Sequence, residues 1–369
     1  MTARKDAQSV ALINVSHPLP LFSFSISMEL IAFGFNAHGQ LSPSTNPSEI
    51  PEDIRIPQII ASANNSLRVL FIGWSDTLLE IDGNLHLLGA ASANTQLTIP
   101  STHLSPITCA FGDHTGLKGV TTSTQSVHLI QHYGTRHVFF GQRVEGISDT
   151  SHIAIAGNGV VAAVQGEEVL VYRSFSAFLL KNARQRWPLA GGGGVLGLHA
   201  NEGGFVVLTR EYGGRVITWG DARHEYLGRE TTAEAPAGAP GIVGALDGIP
   251  IARVGSGGWC SAAVSAERDL YVWGGANGEV LAGRGEVELV QEFEVVDGVS
   301  VGDGHVVAWS GGKLWGIGRG ENGQLGREGG RWRGEWREIE GVCRHGKIVR
   351  DVFCGGWSTL VICQRQESL

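Results

Sequence analysis

Three stretches of this sequence hold side chains whose types and spacing could do chemistry. Gly318-Arg319-Gly320-Glu321-Asn322-Gly323 spells G-x-G-x-x-G, the spacing that lets a backbone close on a pyrophosphate at a helix N-terminus. Cys109, His114, His128, His132 and His137 gather the residue types that ligate metals. Residues 327–340 interleave Arg331, Arg333 and Arg337 with Trp332 and Trp336. Tryptophan and arginine dominate the hot spots of binding surfaces.

Each stretch has a competing structural explanation. A dinucleotide cradle needs a helix after its third glycine, but here Gln324-Leu325-Gly326 follows, so the stretch reads as strand and turn. Gly312-Lys313 and Gly346-Lys347 run into Leu314 and Ile348, not into the Ser or Thr of a phosphate loop. A zinc site needs three or four ligands about 2.0–2.3 Å from one point. On a strand His128 and His132 would share a face roughly 13 Å apart, so no metal site is expected. His305 reads as a hydrogen-bonded residue between strands. No Ser, His or Asp stands in a nucleophile context, so neither catalysis nor a cofactor is expected. The Arg/Trp stretch reads as a loop that is packed on itself by cation–π stacking, or presented to a partner. A direct RNA contact is the least favoured alternative.

The elements that must position these residues come from a repeat. A short strand ending in an aromatic and a glycine, then a turn, recurs at Leu30-Ile31-Ala32-Phe33-Gly34, Val216-Ile217-Thr218-Trp219-Gly220, Leu270-Tyr271-Val272-Trp273-Gly274 and Leu314-Trp315-Gly316. The clearest turns close with Gly39-Gln40-Leu41 and Gly323-Gln324-Leu325-Gly326. A second phrase, a buried strand and one or two glycines before another apolar strand, recurs about seven times. Its clear copies are Ile72-Gly73-Trp74-Ser75, Gly257-Gly258-Trp259-Cys260, Gly302-Asp303-Gly304-His305 and Gly355-Gly356-Trp357-Ser358. The spacing of roughly 40 to 55 residues is that of propeller blades. Trp74, Trp259 and Trp357 occupy equivalent positions. They either pack between blades or form an aromatic ring around the central opening, available to a partner.

Composition agrees. The 54 glycines are about twice ordinary usage, charged residues make up 17%, and hydrophobic residues 42%. Net charge is −8, a balance that gives phosphate backbones no general attraction. Five dispersed cysteines without a C-x-x-C pair argue against a disulfide framework and for reduced thiols. No apolar run reaches the roughly 18 to 20 residues that cross a bilayer. The expectation is a cytoplasmic or nuclear protein, monomeric on its own.

The last repeat, Val349 to Cys363, lacks its Trp-Gly strand, and Leu30 to Gly34 supplies it. The expected fold is therefore an all-β, seven-bladed β-propeller closed by pairing of the N- and C-terminal strands in one blade. Closure leaves no sheet edge open between the ends. Residues 1–28 are expected to be an extension without a fold role, 29–365 the propeller and 366–369 a tail. Residues 42–58 and 229–250 read as surface loops, and Gly191 to Gly194 as a glycine run beside a basic segment. Phe175 to Arg186 is the best helix candidate. Blades two and three, about 104–195, fit the repeat poorly.

The alternation of Gly-Gly-Trp and Trp-Gly…Gly-Gln-Leu-Gly phrases resembles the regulator-of-chromosome-condensation repeat family, over roughly 29–363. Members fold as single seven-bladed propellers closed by their two ends. Two small single-propeller kinds look similar. A member associated with a Jumonji-type histone demethylase is suggested by Phe33-Gly34-Phe35, Gly257 to Ser261 and Cys354 to Thr359. The fungal alpha-tubulin-suppressor or killer-toxin-insensitivity propeller is suggested by Ala32-Phe33-Gly34 and Ile72 to Thr77. The first resemblance implies a Jumonji-type enzyme as partner. The second implies a small zinc protein of diphthamide synthesis and Elongator-linked tRNA modification. The founding member exchanges nucleotide on Ran, but this chain lacks its basic tail. The expected function is a non-catalytic scaffold presenting one rim to a protein partner. Its candidate contacts are Arg331, Trp332, Arg333, Trp336, Arg337, Trp74, Trp259 and Trp357, and losing Trp332 and Trp336 together should weaken capture but hardly change melting.

Overall fold

The computed structural model describes residues 28–42, 51–89, 97–99, 104–133, 137–189, 194–275, 280, 285–343 and 346–365. Seven four-stranded antiparallel sheets account for nearly all of it. The innermost strands are Leu67–Ile72, Ile107–Asp113, Thr150–Ile155, Val195–Ala200, Ile251–Gly257, Gly298–Val301 and Lys347–Gly355, one for each of blades one to seven. The molecule is a seven-bladed β-propeller.

Alternation along the strands explains the ring. In His305–Ser310, the second strand of blade six, Val306 and Ala308 pack toward blade five while Val307 and Trp309 pack toward blade seven. Gly204–Thr209 does the same in blade four, with Phe205 and Val207 facing blade three and Val206 and Leu208 facing blade five. A strand covered on both faces must be apolar at every position, so these segments read as continuous hydrophobic runs. The core is accordingly a set of seams between blades rather than one central mass.

Blade seven closes the ring. Met28–Gly34 pairs with Ser358–Arg365, from Met28 opposite Gln364 to Gly34 opposite Ser358. The N-terminal contribution is larger than the sequence suggested. Ile54–Ala63, half of which was assigned to a surface loop, is a strand that pairs with Met28–Gly34 and forms the blade's outer edge. Half of its residues are exposed, with Ile54 and Ala63 buried at its ends, so it carries little of the apolar alternation that marks strands in a sequence. Blades two and three, despite their poor repeat match, are as regular as the others. The helix candidate shortens to Phe175–Leu179, capped by Ser174, and Gln185–Pro188 is already the outer strand of blade three. Within the Gly191 to Gly194 run only Gly194 lies among the described residues.

The Arg/Trp stretch is also corrected. Arg331–Ile339 is not a loop but the outer strand of blade six, bulged between Trp332 and Arg337. Trp332 is 4% exposed and joins the seam with blade seven, while Arg327 and Arg337 lie 5.6 and 5.9 Å from its ring centre. Trp336 points to the other seam, 5.3 Å from the Phe293 ring. The cysteine expectation fails at one pair, since Cys343 and Cys363 form a disulfide.

The seam position of Trp332 reverses the expected effect on melting. Trp332→Ala leaves a large void between blades six and seven and should cost about 3 kcal/mol or more. Urea unfolding followed by intrinsic fluorescence should show the midpoint falling accordingly. An unchanged midpoint would place Trp332 outside the core.

Candidate functional site

The first and second strands of each blade are joined by tight turns that converge at one end of the central channel. Space there is short. A Cβ on Gly355 would stand 2.3 Å from the Ile72 carbonyl oxygen, and one on Gly257 2.7 Å from that of Val301. The following residues, Gly258 and Gly356, take φ of +52° and +53°, which glycine adopts without strain. The Gly-Gly-Trp phrases therefore answer a steric demand. The turns also hold one another through backbone bonds from blade to blade. Gly157 N donates to Asn201 O at 3.0 Å, Glu202 N to Gly258 O at 2.9 Å, and Asp303 N to Gly356 O at 2.9 Å.

The result is a concave mouth of about 210 Å³ lined by all seven blades. The residue after the first turn glycine, or its equivalent, is Trp74, Asp113, Asn158, Glu202, Gly258, Asp303 and Gly356 in blades one to seven. Burial raises the Asp113 pKa, but hydrogen bonds from Thr115 and the nearby Lys118 ammonium outweigh it and hold the carboxyl below its ordinary value. Asp113 is thus ionised at neutral pH.

Two aromatic islands flank this mouth on opposite sides of the ring. Phe35, Trp74 and Trp357 form one, with centroid separations of 6.1, 5.9 and 4.5 Å for the pairs 35–74, 35–357 and 74–357. Arg319 lies 5.2 Å over Trp357. The second is Trp259, with His224 at 4.8 Å, Tyr226 at 5.8 Å and Arg223 over its ring at 5.4 Å. All three tryptophans are half-buried, so they pack at blade junctions and face the rim at once. Sequence reasoning does not place Phe35, His38, His224 or Tyr226 at the mouth, although Phe35 belongs to one of the resembling phrases. The spacing of Phe35 after Phe33-Gly34 was the available signal.

The G-x-G-x-x-G turn is structural. Its last glycine, Gly323, has φ +87°, and a Cβ there would meet the Arg55 Cα at 2.5 Å, so glycine lets the closing blade approach. Gln324 Oε1 accepts from Asn322 N at 2.9 Å. In the sister turn, Gln40 Nε2 donates to the carbonyls of Phe35 and Trp74, both at 3.0 Å. The glutamine of each Gly-Gln-Leu phrase thus braces its own turn, and Gln40 also ties blade seven to blade one.

His305 is fully buried, its Nε2 3.1 Å from Thr359 Oγ1. The Thr359 hydroxyl donates to Gln324 O at 2.9 Å, so Nε2 carries the proton and donates to Thr359. Burial pushes the imidazole down to about 4. It is a seam residue between blades six and seven. Burial likewise pushes the Cys260 and Cys354 thiols up to about 12 and raises that of Cys109; such thiols are poor nucleophiles. His128 bonds Gly141 O at 2.9 Å, and the side chains of His132 and His137 lie outside the described ones. No group of three potential metal ligands comes together among the described residues.

The remaining candidates sit on the outer strand of blade six. Arg331 pairs with Glu321 and Arg337 with Glu335 at 2.7 Å, both exposed. The Arg333 side chain lies outside the described ones. Arg331 is linked to the Trp357 island through Glu321, which also pairs with Arg319 at 3.8 Å, whereas the bulge directs Trp332 and Trp336 into the seams instead.

No family model matches the chain. Among known proteins, human RCC1 domain-containing protein 1 is 29% identical over 201 residues, 42% of this chain and 53% of that protein. The human E3 ubiquitin-protein ligase HERC2 is 34% identical over 140 residues, 35% of this chain and 3% of the ligase. The chain thus spans about half the length of the first relative and a small part of the second. Among solved structures, yeast RCC1 (Prp20) bound to Kap60 superposes with a TM-score of 0.72 at 13% identity, covering 99% of this chain and 97% of that one. Human WBSCR16 gives 0.61 at 14% identity, covering 92% and 99%.

The buried His305 generates a pH prediction. Its pKa in the fold, about 4, lies below the ordinary value of about 6.5, so between these values the unfolded chain binds the extra proton. Stability is therefore full above pH 6.5 and falls as the pH drops toward 4, by about 1.4 kcal/mol per pH unit. Urea unfolding at pH 7.5 and 5.0 should show His305→Gln losing about 2 kcal/mol less than the parent over that interval. Equal losses would mean that His305 is not held neutral.

Proposed function

We propose that this chain, a single seven-bladed propeller of RCC1-type repeats, works as a non-catalytic protein-interaction scaffold whose partner docks on the mouth face. One observation carries this reading: the preformed concavity between two aromatic islands, on turns locked by inter-blade hydrogen bonds. A rigid surface loses little freedom on binding, and half-buried aromatics offer area at low entropic cost. Trp74, Trp259 and Trp357 are the proposed anchors there. Arg331 and Arg337 are exposed on the outer strand of blade six, Arg331 on the side toward Arg319 and Trp357. Among the described residues no helix is long and apolar enough to cross a membrane.

The fold neighbours give precedent for protein partners. The structure of Prp20p from Saccharomyces cerevisiae was described with its binding properties to Gsp1p and histones, and the yeast protein has been solved with Kap60. For this chain the partner classes are those the sequence resemblance implies. They are a chromatin-modifying Jumonji-type enzyme or the small zinc protein of diphthamide synthesis and Elongator-linked tRNA modification. The likeness to Prp20 keeps exchange on a Ran-type GTPase as the second reading.

Affinity capture from native extract with mass spectrometry, followed by titration of the recovered protein, tests this. Trp74→Ala should weaken capture by about tenfold or more, the scale of a hot-spot residue, at a temperature where the variant is still folded, because the ring also packs at the junction of blades seven and one. The pair Arg331→Ala with Arg337→Ala reports separately on blade six. Full capture by Trp74→Ala would remove the mouth from the interface, and accelerated nucleotide release from a Ran-type GTPase would replace the scaffold with an exchange factor.

A further inference from the structure

The ring depends on one blade assembled from both ends of the described chain, and that blade carries a covalent bond. Cys343 lies in the connection from blade six to blade seven, and Cys363 lies on Ser358–Arg365, the strand against which the N-terminal strand closes. Their Cα atoms are 6.1 Å apart and 20 residues separate them. Cys363 is fully buried, opposite Glu29 on one side and Val349 on the other. Cys343 is half-buried and packs against the seam cluster. At the same end of the blade, Lys347 pairs with Glu29, which ties the innermost strand to the N-terminal one.

The bond therefore fixes the hairpin Lys347–Arg365 onto the exit of blade six. That hairpin is the edge to which Met28–Gly34 must dock for the ring to close. Without the bond, a loop of about 20 residues regains freedom, and both hairpin and docking edge can fray. The other described thiols do not compete in exchange, because burial holds Cys109, Cys260 and Cys354 as protonated thiols.

We propose that Cys343–Cys363 is a redox-set latch on ring closure, opened and closed by the glutathione couple. In opening, a glutathione thiolate attacks the half-buried Cys343 sulfur, the S–S bond breaks, and Cys363 leaves as a thiolate that takes a proton. A second glutathione thiolate attacks the glutathione sulfur of the mixed disulfide and expels Cys343 as a thiolate, which is then protonated. One protein disulfide and two glutathiones thus become two protein thiols and one glutathione disulfide, and closing is the reverse. A consequence follows for the mouth. Phe35 N donates to Trp357 O at 2.9 Å, and Ser358 Oγ donates to Phe35 O at 2.9 Å, both across the closing seam. Opening the latch loosens the island of Phe35, Trp74 and Trp357. This consequence rests on the partner-docking reading; the latch itself does not.

The test is hydrogen exchange of the full chain, with non-reducing peptide mapping of the two cysteines. In glutathione disulfide the Cys343–Cys363 peptide link should form. Excess reduced glutathione should remove it and speed exchange of the amides in 28–34 by about tenfold or more. Cys343→Ser should exchange at the fast rate in both buffers, and Cys343→Ala, which lacks the hydroxyl, should match it if the bond alone matters. Three results would each overturn the latch. The link may fail to form in glutathione disulfide, survive in excess glutathione, or come and go without changing exchange in 28–34.

Discussion

Everything in this molecule depends on the ladder between Met28–Gly34 and Ser358–Arg365. Each of the other blades is a local meander whose strands follow one another in the chain. Blade seven alone joins segments more than three hundred residues apart. Its reinforcements concentrate accordingly. The seam cluster around it draws on blades six, seven and one, and the Cys343–Cys363 bond and the Lys347–Glu29 pair secure one end. At the other end His305, Thr359 and the Gln324 carbonyl form a buried hydrogen-bonded chain, and Gln40 separately ties blade seven to blade one. A buried hydrogen-bonded chain selects one arrangement of its members, which suits a joint between segments distant in the sequence.

The sequence disclosed the fold because propeller turns impose their own composition. Gly257, Gly258, Gly355 and Gly356 are fixed by close approach and positive φ, so the repeat remained visible where side chains had diverged. Exposed outer strands impose no such demand. Ile54–Ala63 is half exposed and contains Pro57, so its first half has the composition of a loop. Arg331–Ile339 was misread for a related reason. Its bulge throws Trp332 and Trp336 into opposite seams, and the flanking arginines gave a buried tryptophan the composition of a binding hot spot. The disulfide was invisible because spacing along the chain does not reveal which strands adjoin.

The mouth could be placed only in part from the sequence. That Trp74, Trp259 and Trp357 lie in turns beside the opening was legible, but they are not all equivalent, since Trp74 aligns with Gly258 and Gly356, one residue before Trp259 and Trp357. Which tryptophan meets which neighbour was not legible. Trp74 and Trp357 touch because the ring closes blade seven onto blade one, whereas Trp259 stands across the ring with His224 and Tyr226 from blade four. The same closure that stabilises the fold therefore builds the larger aromatic island. On the proposed docking reading, stability and recognition share one joint.

The most direct measurement is a hydrogen-exchange footprint of the propeller with its captured partner bound. Docking on the mouth predicts added protection at the turns 73–75, 201–204, 257–259, 302–304 and 355–357, contributed by five different blades. Protection confined to outer strands such as 331–339, or to the turns at the opposite end of the channel, would contradict the account.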